Sequence, residues 1–174
     1  MRIYWDQVRV GTKVDTAGFT RTVMSPLRAD LHERGFSAEL KPDGREPISY
    51  DYQRVSTASP WKSMIGRYTR TGDVGPLLAR TDDMFVIAKP GDEIALSFDA
   101  SSLPPVADGW TRTFLLVADG FSKEMDINSA SPDRVGPLPF HGMTGYPYGA
   151  REGYPDSKDH RDYQARYNTR PVLR

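Results

Sequence analysis

Apolar and polar positions alternate with period two at several places along the chain, and no 3.6-residue helical period is sustained anywhere. The richest stretch runs from Met84 to Ile127. It opens with Met84-Phe85-Val86-Ile87-Ala88 and breaks at Lys89-Pro90-Gly91-Asp92. It resumes as Glu93-Ile94-Ala95-Leu96-Ser97-Phe98-Asp99. Ile94, Leu96 and Phe98 fall on one face there, which predicts a half-buried strand. The break before it has turn chemistry: proline fixes φ and glycine is free to take positive φ. After a loop over 101–109, the run Trp110-Thr111-Arg112-Thr113-Phe114-Leu115-Leu116-Val117-Ala118 is aromatic and β-prone, and Asp119-Gly120 closes it. The pattern therefore predicts three strands in tandem, with Ile94, Leu96, Phe98 and two or more of Trp110, Phe114 and Leu116 buried.

Shorter patterns flank this core. Arg2 to Val10 reads as β-like from the first residues, which predicts a natural polypeptide that extends upstream. Leu27, Ala29 and Leu31 alternate with Arg28, Asp30 and His32 until Gly35. Lys41-Pro42-Asp43-Gly44 is a turn signal, and Ile48, Tyr50 and Tyr52 then share a face. Ser59-Pro60-Trp61-Lys62 reads as a corner before a short strand over 64–71, and Asp73 as the N-cap of one helical turn. Beyond Asn128 the chain turns rich in Ser, Pro and Gly, then in tyrosine, with a weak helix signal from Ser157 that carries Tyr163, Tyr167 and Arg170. The predicted architecture is all-β: an antiparallel, jelly-roll-like β-sandwich over 1–140 and an extended, loop-rich carboxy-terminal arm over 141–174.

Composition narrows the function classes. The 23 basic and 23 acidic residues cancel, which argues against a nucleic-acid partner, whose phosphates call for clustered cations. No apolar run approaches the roughly 20 residues that span a bilayer, and the amino terminus lacks the apolar core of a signal peptide. With no cysteine in 174 residues, disulfides, thiolate metal sites and a cysteine nucleophile are excluded.

Candidate chemistry is sparse. His32, His141 and His160 share no metal-ligand spacing. His141, in Phe140-His141-Gly142, reads as a packed loop residue more readily than as part of a pocket. Ser59 and Lys62 match S-x-x-K, but the accompanying motifs of penicillin-recognising enzymes are missing. Gly120-Phe121-Ser122-Lys123-Glu124 fails the nucleophile-elbow pattern at its last position. No cofactor is expected. The one ion with any basis is a structural calcium, because Asp82, Asp83, Asp92, Asp99, Asp119 and Asp126 sit near predicted strand ends. Aspartate is also the ordinary residue of such ends. Trp61 and the arm residues Tyr146, Tyr148, Tyr154, Tyr163 and Tyr167 are the candidate interaction residues, since tyrosine is apolar in body and polar at its tip.

Several segments carry a resemblance. Ile3-Tyr4-Trp5-Asp6-Gln7, Tyr68-Thr69-Arg70-Thr71-Gly72-Asp73-Val74, Pro90-Gly91-Asp92-Glu93 and Gly109-Trp110-Thr111-Arg112-Thr113-Phe114-Leu115 are four of them. Pro137-Leu138-Pro139-Phe140-His141-Gly142-Met143 and Tyr167-Asn168-Thr169-Arg170 are two more. Together they resemble the carboxy-terminal region of bacterial VCBS/FG-GAP repeat proteins of the ASPIC/UnbV type, over nearly the whole chain. The resemblance implies an extracellular or periplasmic protein with an upstream calcium-binding β-propeller, whose Asp-rich loops this chain lacks. The expectation is a non-catalytic attachment or assembly module that contacts a protein partner, the propeller or further copies of itself. A carbohydrate-binding β-sandwich that takes a glycan is the alternative, and a hydrolase domain the second alternative.

Overall fold

A computed structural model describes residues 18–41, 43–45 and 47–173. The β-like sequence from Arg2 to Val10 lies outside these residues. The described chain forms strands β1 (Arg28–Glu33), β2 (Phe36–Glu39), β3 (Tyr50–Ser56), β4 (Gly66–Tyr68) and β5 (Gly72–Asp73). Helix α1 (Gly75–Leu78), β6 (Asp92–Ser97), helix α2 (Lys158–Tyr167) and β7 (Arg170–Val172) complete it. Strand exceeds helix, 21% against 12%, so the fold is predominantly β; among the described residues the sheets are small and none closes into a barrel.

The central sheet has the order β5-β1-β6 and is antiparallel throughout. Its register follows from the alternation in both long strands. Ala29 lies opposite Leu96 and Leu31 opposite Ile94, so the apolar residues of β1 and β6 share one face. Arg28, Asp30 and His32 take the other face. The turn before β6 forms as its sequence suggests. Gly91 adopts φ +89, the Asp92 amide donates to the Lys89 carbonyl at 3.0 Å, and the Gly91 carbonyl accepts from the amides of Arg34 and Gly35. Gly35 sits at φ +104 beside Ser56, where an added Cβ would lie 2.5 Å from the Ser56 carbonyl oxygen, so glycine is required for β2 to meet β3.

The apolar face of the sheet is covered from the far end of the chain. In α2, Tyr163 and Tyr167 are four residues apart and share a side, and both are buried against Ala29, Leu31, Val74 and Leu77. Met84, Val86, Ile94 and Leu96 pack around this cluster. Ser157 caps α2 by accepting the His160 amide. A second cluster forms where Met64 and Tyr68 meet Val135, with Ile87, Met125, Leu138 and Val172 at its margin. Strand β7 pairs with β4, and the Arg170 guanidinium holds Asp92 in a two-pronged ion pair at 2.9 and 2.5 Å. The Asp92 side chain is fully buried.

Several expectations need correction. Of the three tandem strands, only the middle one forms. Residues 84–87 are half-buried and Ala88 is exposed, without entering a sheet; hydrogen bonds join Ile87 to Thr69, the residue just after β4. Residues 110–118 form no strand, because no ladder reaches them among the described residues, and Trp110, Phe114 and Leu116 are exposed. Phe98 is exposed too, one residue past the end of β6. The face with Ile48, Tyr50 and Tyr52 lies in solvent on the β2–β3 hairpin. Val74, not Asp73, occupies the N-cap of α1; the Asp73 carboxylate accepts the Gly75 amide instead. Arg170 lies in β7 rather than on the helix with Tyr163 and Tyr167.

Candidate functional site

Two features stand out: a histidine clasped between two aspartates, and the apolar stretch it fastens. Burial of Phe140 fixes the backbone next to His141. The His141 amide and ring Nδ1 both lie 2.8 Å from Oδ1 of Asp83. On the opposite edge of the ring, Nε2 lies 3.2 Å from Oδ1 of Asp119. The rings of Phe85 and Phe121 flank the imidazole at 5.9 and 5.3 Å between centroids and meet each other edge-on. The hydrogen bond to Asp83 and then that to Asp119 raise the His141 pKa above its ordinary 6.5. Three distant segments meet at this one residue.

This clasp is poorly suited to catalysis. A general base needs one ring nitrogen free for substrate, and both nitrogens of His141 face carboxylates. The carboxylates lie on opposite edges of the ring, so the three groups do not converge on one point as metal ligands would. Among the described residues no group of three or more such side chains is placed to hold a metal ion. The other aspartates raised as calcium candidates have local work. Asp82 binds Arg80 and the Met84 amide, Asp92 binds Arg170, and Asp99 and Asp126 receive Ser101 and Asn128. The Ser59 hydroxyl bonds within its own corner to Trp61, and Lys62 pairs with Asp133, so this S-x-x-K is a turn.

The residues singled out for interaction separate by depth. Trp61 is exposed, at 63%. Tyr146 and Tyr148 are half-buried, edge-on to each other at 74°, with the Tyr146 hydroxyl donating to the Pro137 carbonyl. Tyr154 donates to the Asp83 carbonyl, and burial raises its phenol pKa. Tyr163 donates to the Phe85 carbonyl at 2.6 Å, its pKa pushed up to about 12 by burial. Tyr167 lies beneath the Arg70 guanidinium, 5.1 Å from its ring centre. Tyr154, Tyr163 and Tyr167 thus bind the carboxy-terminal residues to the rest of their own chain.

The feature that the sequence pattern misassigned is the stretch between the clasp and the loop over 101–109. Phe114, Leu115, Leu116 and Val117 are exposed by 73%, 89%, 69% and 77%. Val106, Trp110 and Phe121 add to the same exposed series. From 110 to 126 the backbone has no helix, turn or bend. Among the described residues the amides and carbonyls of 111–118 make no hydrogen bond. The one charge within 110–118, Arg112, is tied back to the Pro104 carbonyl. Residues 111–118 therefore join no ladder among the described residues, while the apolar side chains from Phe114 to Val117 lie in solvent. No family model, curated protein or solved structure matches the chain.

Proposed function

We propose that this chain is a non-catalytic assembly module that binds a protein partner through residues 106–121. The observation that carries the reading is the run of four consecutive exposed apolar side chains, Phe114 to Val117, on a backbone that makes no hydrogen bond among the described residues. Monomeric soluble proteins rarely leave such patches open, and large ones mark interaction sites.

By the resemblance, the module belongs to an exported protein, outside the cytoplasm, and its partner is an upstream β-propeller or another copy. The finer architecture expected from the sequence, an antiparallel jelly-roll-like sandwich, belongs to the same reading; its support is the one-sided apolar face of the central sheet. The glycan alternative rests on exposed aromatic side chains such as Trp61 and Trp110, since Tyr146 and Tyr148 are not coplanar. The test is hydrogen exchange on the protein in its native assembly. Slow exchange of the amides of 111–118 is expected there, lost on Phe114→Ser with Leu116→Ser while α2 stays protected. A native protein of single-chain mass whose 111–118 amides exchange freely overturns the reading.

A further inference from the structure

We infer that His141 is a protonation-controlled latch on residues 113–122. The charged ring ties this segment to the folded chain through Asp119, and loss of one proton releases it while the bond to Asp83 stays. The inference concerns how the exposed stretch is held, and it is independent of what covers it. Among the described residues, the bond between His141 Nε2 and Asp119 Oδ1 is the one hydrogen bond that reaches any residue from Thr113 to Ser122. The flanking residues are held separately. Arg112 is tied to the Pro104 carbonyl, and the Lys123 ammonium to the carbonyls of Arg134, Val135 and Gly136. Between these anchors only Phe121 adds ring contacts, to Phe85 and to His141 itself. The whole segment therefore hangs on one edge of an imidazole.

Ring chemistry makes this tether conditional. An ionised carboxylate only accepts hydrogen bonds, so each ring nitrogen bonded to one must carry a proton. Both nitrogens do so in the imidazolium; the neutral ring has a single N–H. It keeps one carboxylate and turns a lone pair on the other. Geometry decides which is kept. Oδ1 of Asp83 accepts both the His141 amide and Nδ1 at 2.8 Å, so the ring and its own backbone grip one oxygen. Asp119 is held by the ring alone, at 3.2 Å, and its side chain is the more exposed, 46% against 19%. The remaining proton therefore stays on Nδ1, and the Asp119 carboxylate, now facing a lone pair, swings into solvent. The groups facing the ring are these two carboxylates and the uncharged rings of Phe85 and Phe121. Lys123 is turned away, towards the carbonyls of 134–136. Two carboxylates thus favour the charged ring, and the latch opens above the ordinary histidine midpoint of about 6.5.

The test is NMR on the full chain. At about pH 5.5, with His141 charged, the amides of Asp119, Gly120 and Phe121 are expected to have order parameters near the rigid value of about 0.85. Once the ring is neutral they are expected to fall below about 0.6, with the same midpoint as the imidazole resonances. Long-range nitrogen–proton couplings of the neutral ring are expected to show the proton on Nδ1. Asp119→Asn separates the latch from a general effect of pH. A carboxamide accepts from Nε2–H and also donates to the Nε2 lone pair, so this variant is expected to stay ordered on both sides of the midpoint. Asp119→Ala, with no hydrogen-bonding group, is expected to be mobile on both sides. Wild-type order parameters that do not change across the His141 midpoint overturn the latch. So does a neutral ring protonated at Nε2, or a pH-dependent change that persists in Asp119→Asn. None of these outcomes bears on whether 111–118 is protected in the native assembly, so the assembly reading is tested separately.

Discussion

Strand β6 (Asp92–Ser97) and the stretch 110–118 are both runs of β-prone residues closed by acidic and glycine-rich turns. The first is the edge of the central sheet, with Ile94 and Leu96 packed against buried tyrosines. The second lies in solvent with Leu115 almost fully exposed. Both are β-prone, alternating in β6 and continuously apolar from Phe114 to Val117, but only β6 pairs with a neighbouring strand. Strand β6 begins four residues after the end of 84–88, which threads beside β4, and Pro90-Gly91 reverses the chain onto β1. Residues 110–118 follow a loop and pair with no strand among the described residues. A period-two pattern therefore specifies which faces are apolar, while burial waits for a ladder, from the same chain or from another.

Substitutions that break the comparison begin in the buried half. Leu31 is fully buried at the centre of β1, beneath α2. Leu31→Ala is expected to lower the unfolding free energy by about 4 kcal/mol, as for other buried leucines, read by denaturant titration. Arg170→Ala is next, at about 3 kcal/mol, because it leaves the buried Asp92 carboxylate with only Lys89 nearby. Its midpoint is expected to shift with the slope of the titration unchanged. At Phe114 and Leu116 the same kind of truncation costs little: Phe114→Ala with Leu116→Ala is expected to change the stability of the isolated monomer by less than about 0.5 kcal/mol. A loss comparable with that of Leu31→Ala would mean that the stretch is part of the monomer's own core.

The parts of this fold legible in the sequence are those that local chemistry determines. Ala29 and Leu31 announce the phase of β1, Pro90-Gly91-Asp92 announces the turn, and Ser157 announces the start of α2. What escapes is long-range. Arg170 and Asp92 are 78 residues apart, and β7 is only three residues long, so neither the pair nor the strand leaves a local mark. The clasp has the same character. Asp83 and Asp119 read as strand-end aspartates and His141 as a packed loop residue, and only the tertiary fold brings them within hydrogen-bonding distance, from 58 and 22 residues away. Exposure of 110–118 could not be read from composition either, since the residues that line a core also line an interface.

The smallest expected effect belongs to His141, which joins the two halves of the comparison. Asp119 stands at the end of the exposed stretch, and Asp83 stands beside the threaded segment bound by Tyr154 and Tyr163. The groups facing the ring are these two carboxylates and the uncharged rings of Phe85 and Phe121. Its folded-state pKa is raised above the ordinary 6.5 by hydrogen bonds to Asp83 and Asp119. The folded protein therefore binds the proton more tightly than the unfolded chain does, and the clasp's stabilisation is complete below pH 6.5. It declines as pH rises through the raised pKa, because the unfolded chain has already lost its proton and above the raised pKa both states are neutral. Exposure of the site keeps the effect modest through solvent screening. The melting temperature of the wild type relative to His141→Gln is expected to be highest at about pH 5.5 and to fall towards zero above the raised pKa. The imidazole resonances in NMR are expected to titrate above pH 6.5 in the wild type and to return towards it in Asp83→Asn. A His141 titration midpoint below 6.5, or a melting difference that grows with pH, would show that the two carboxylates do not hold the ring in its charged form.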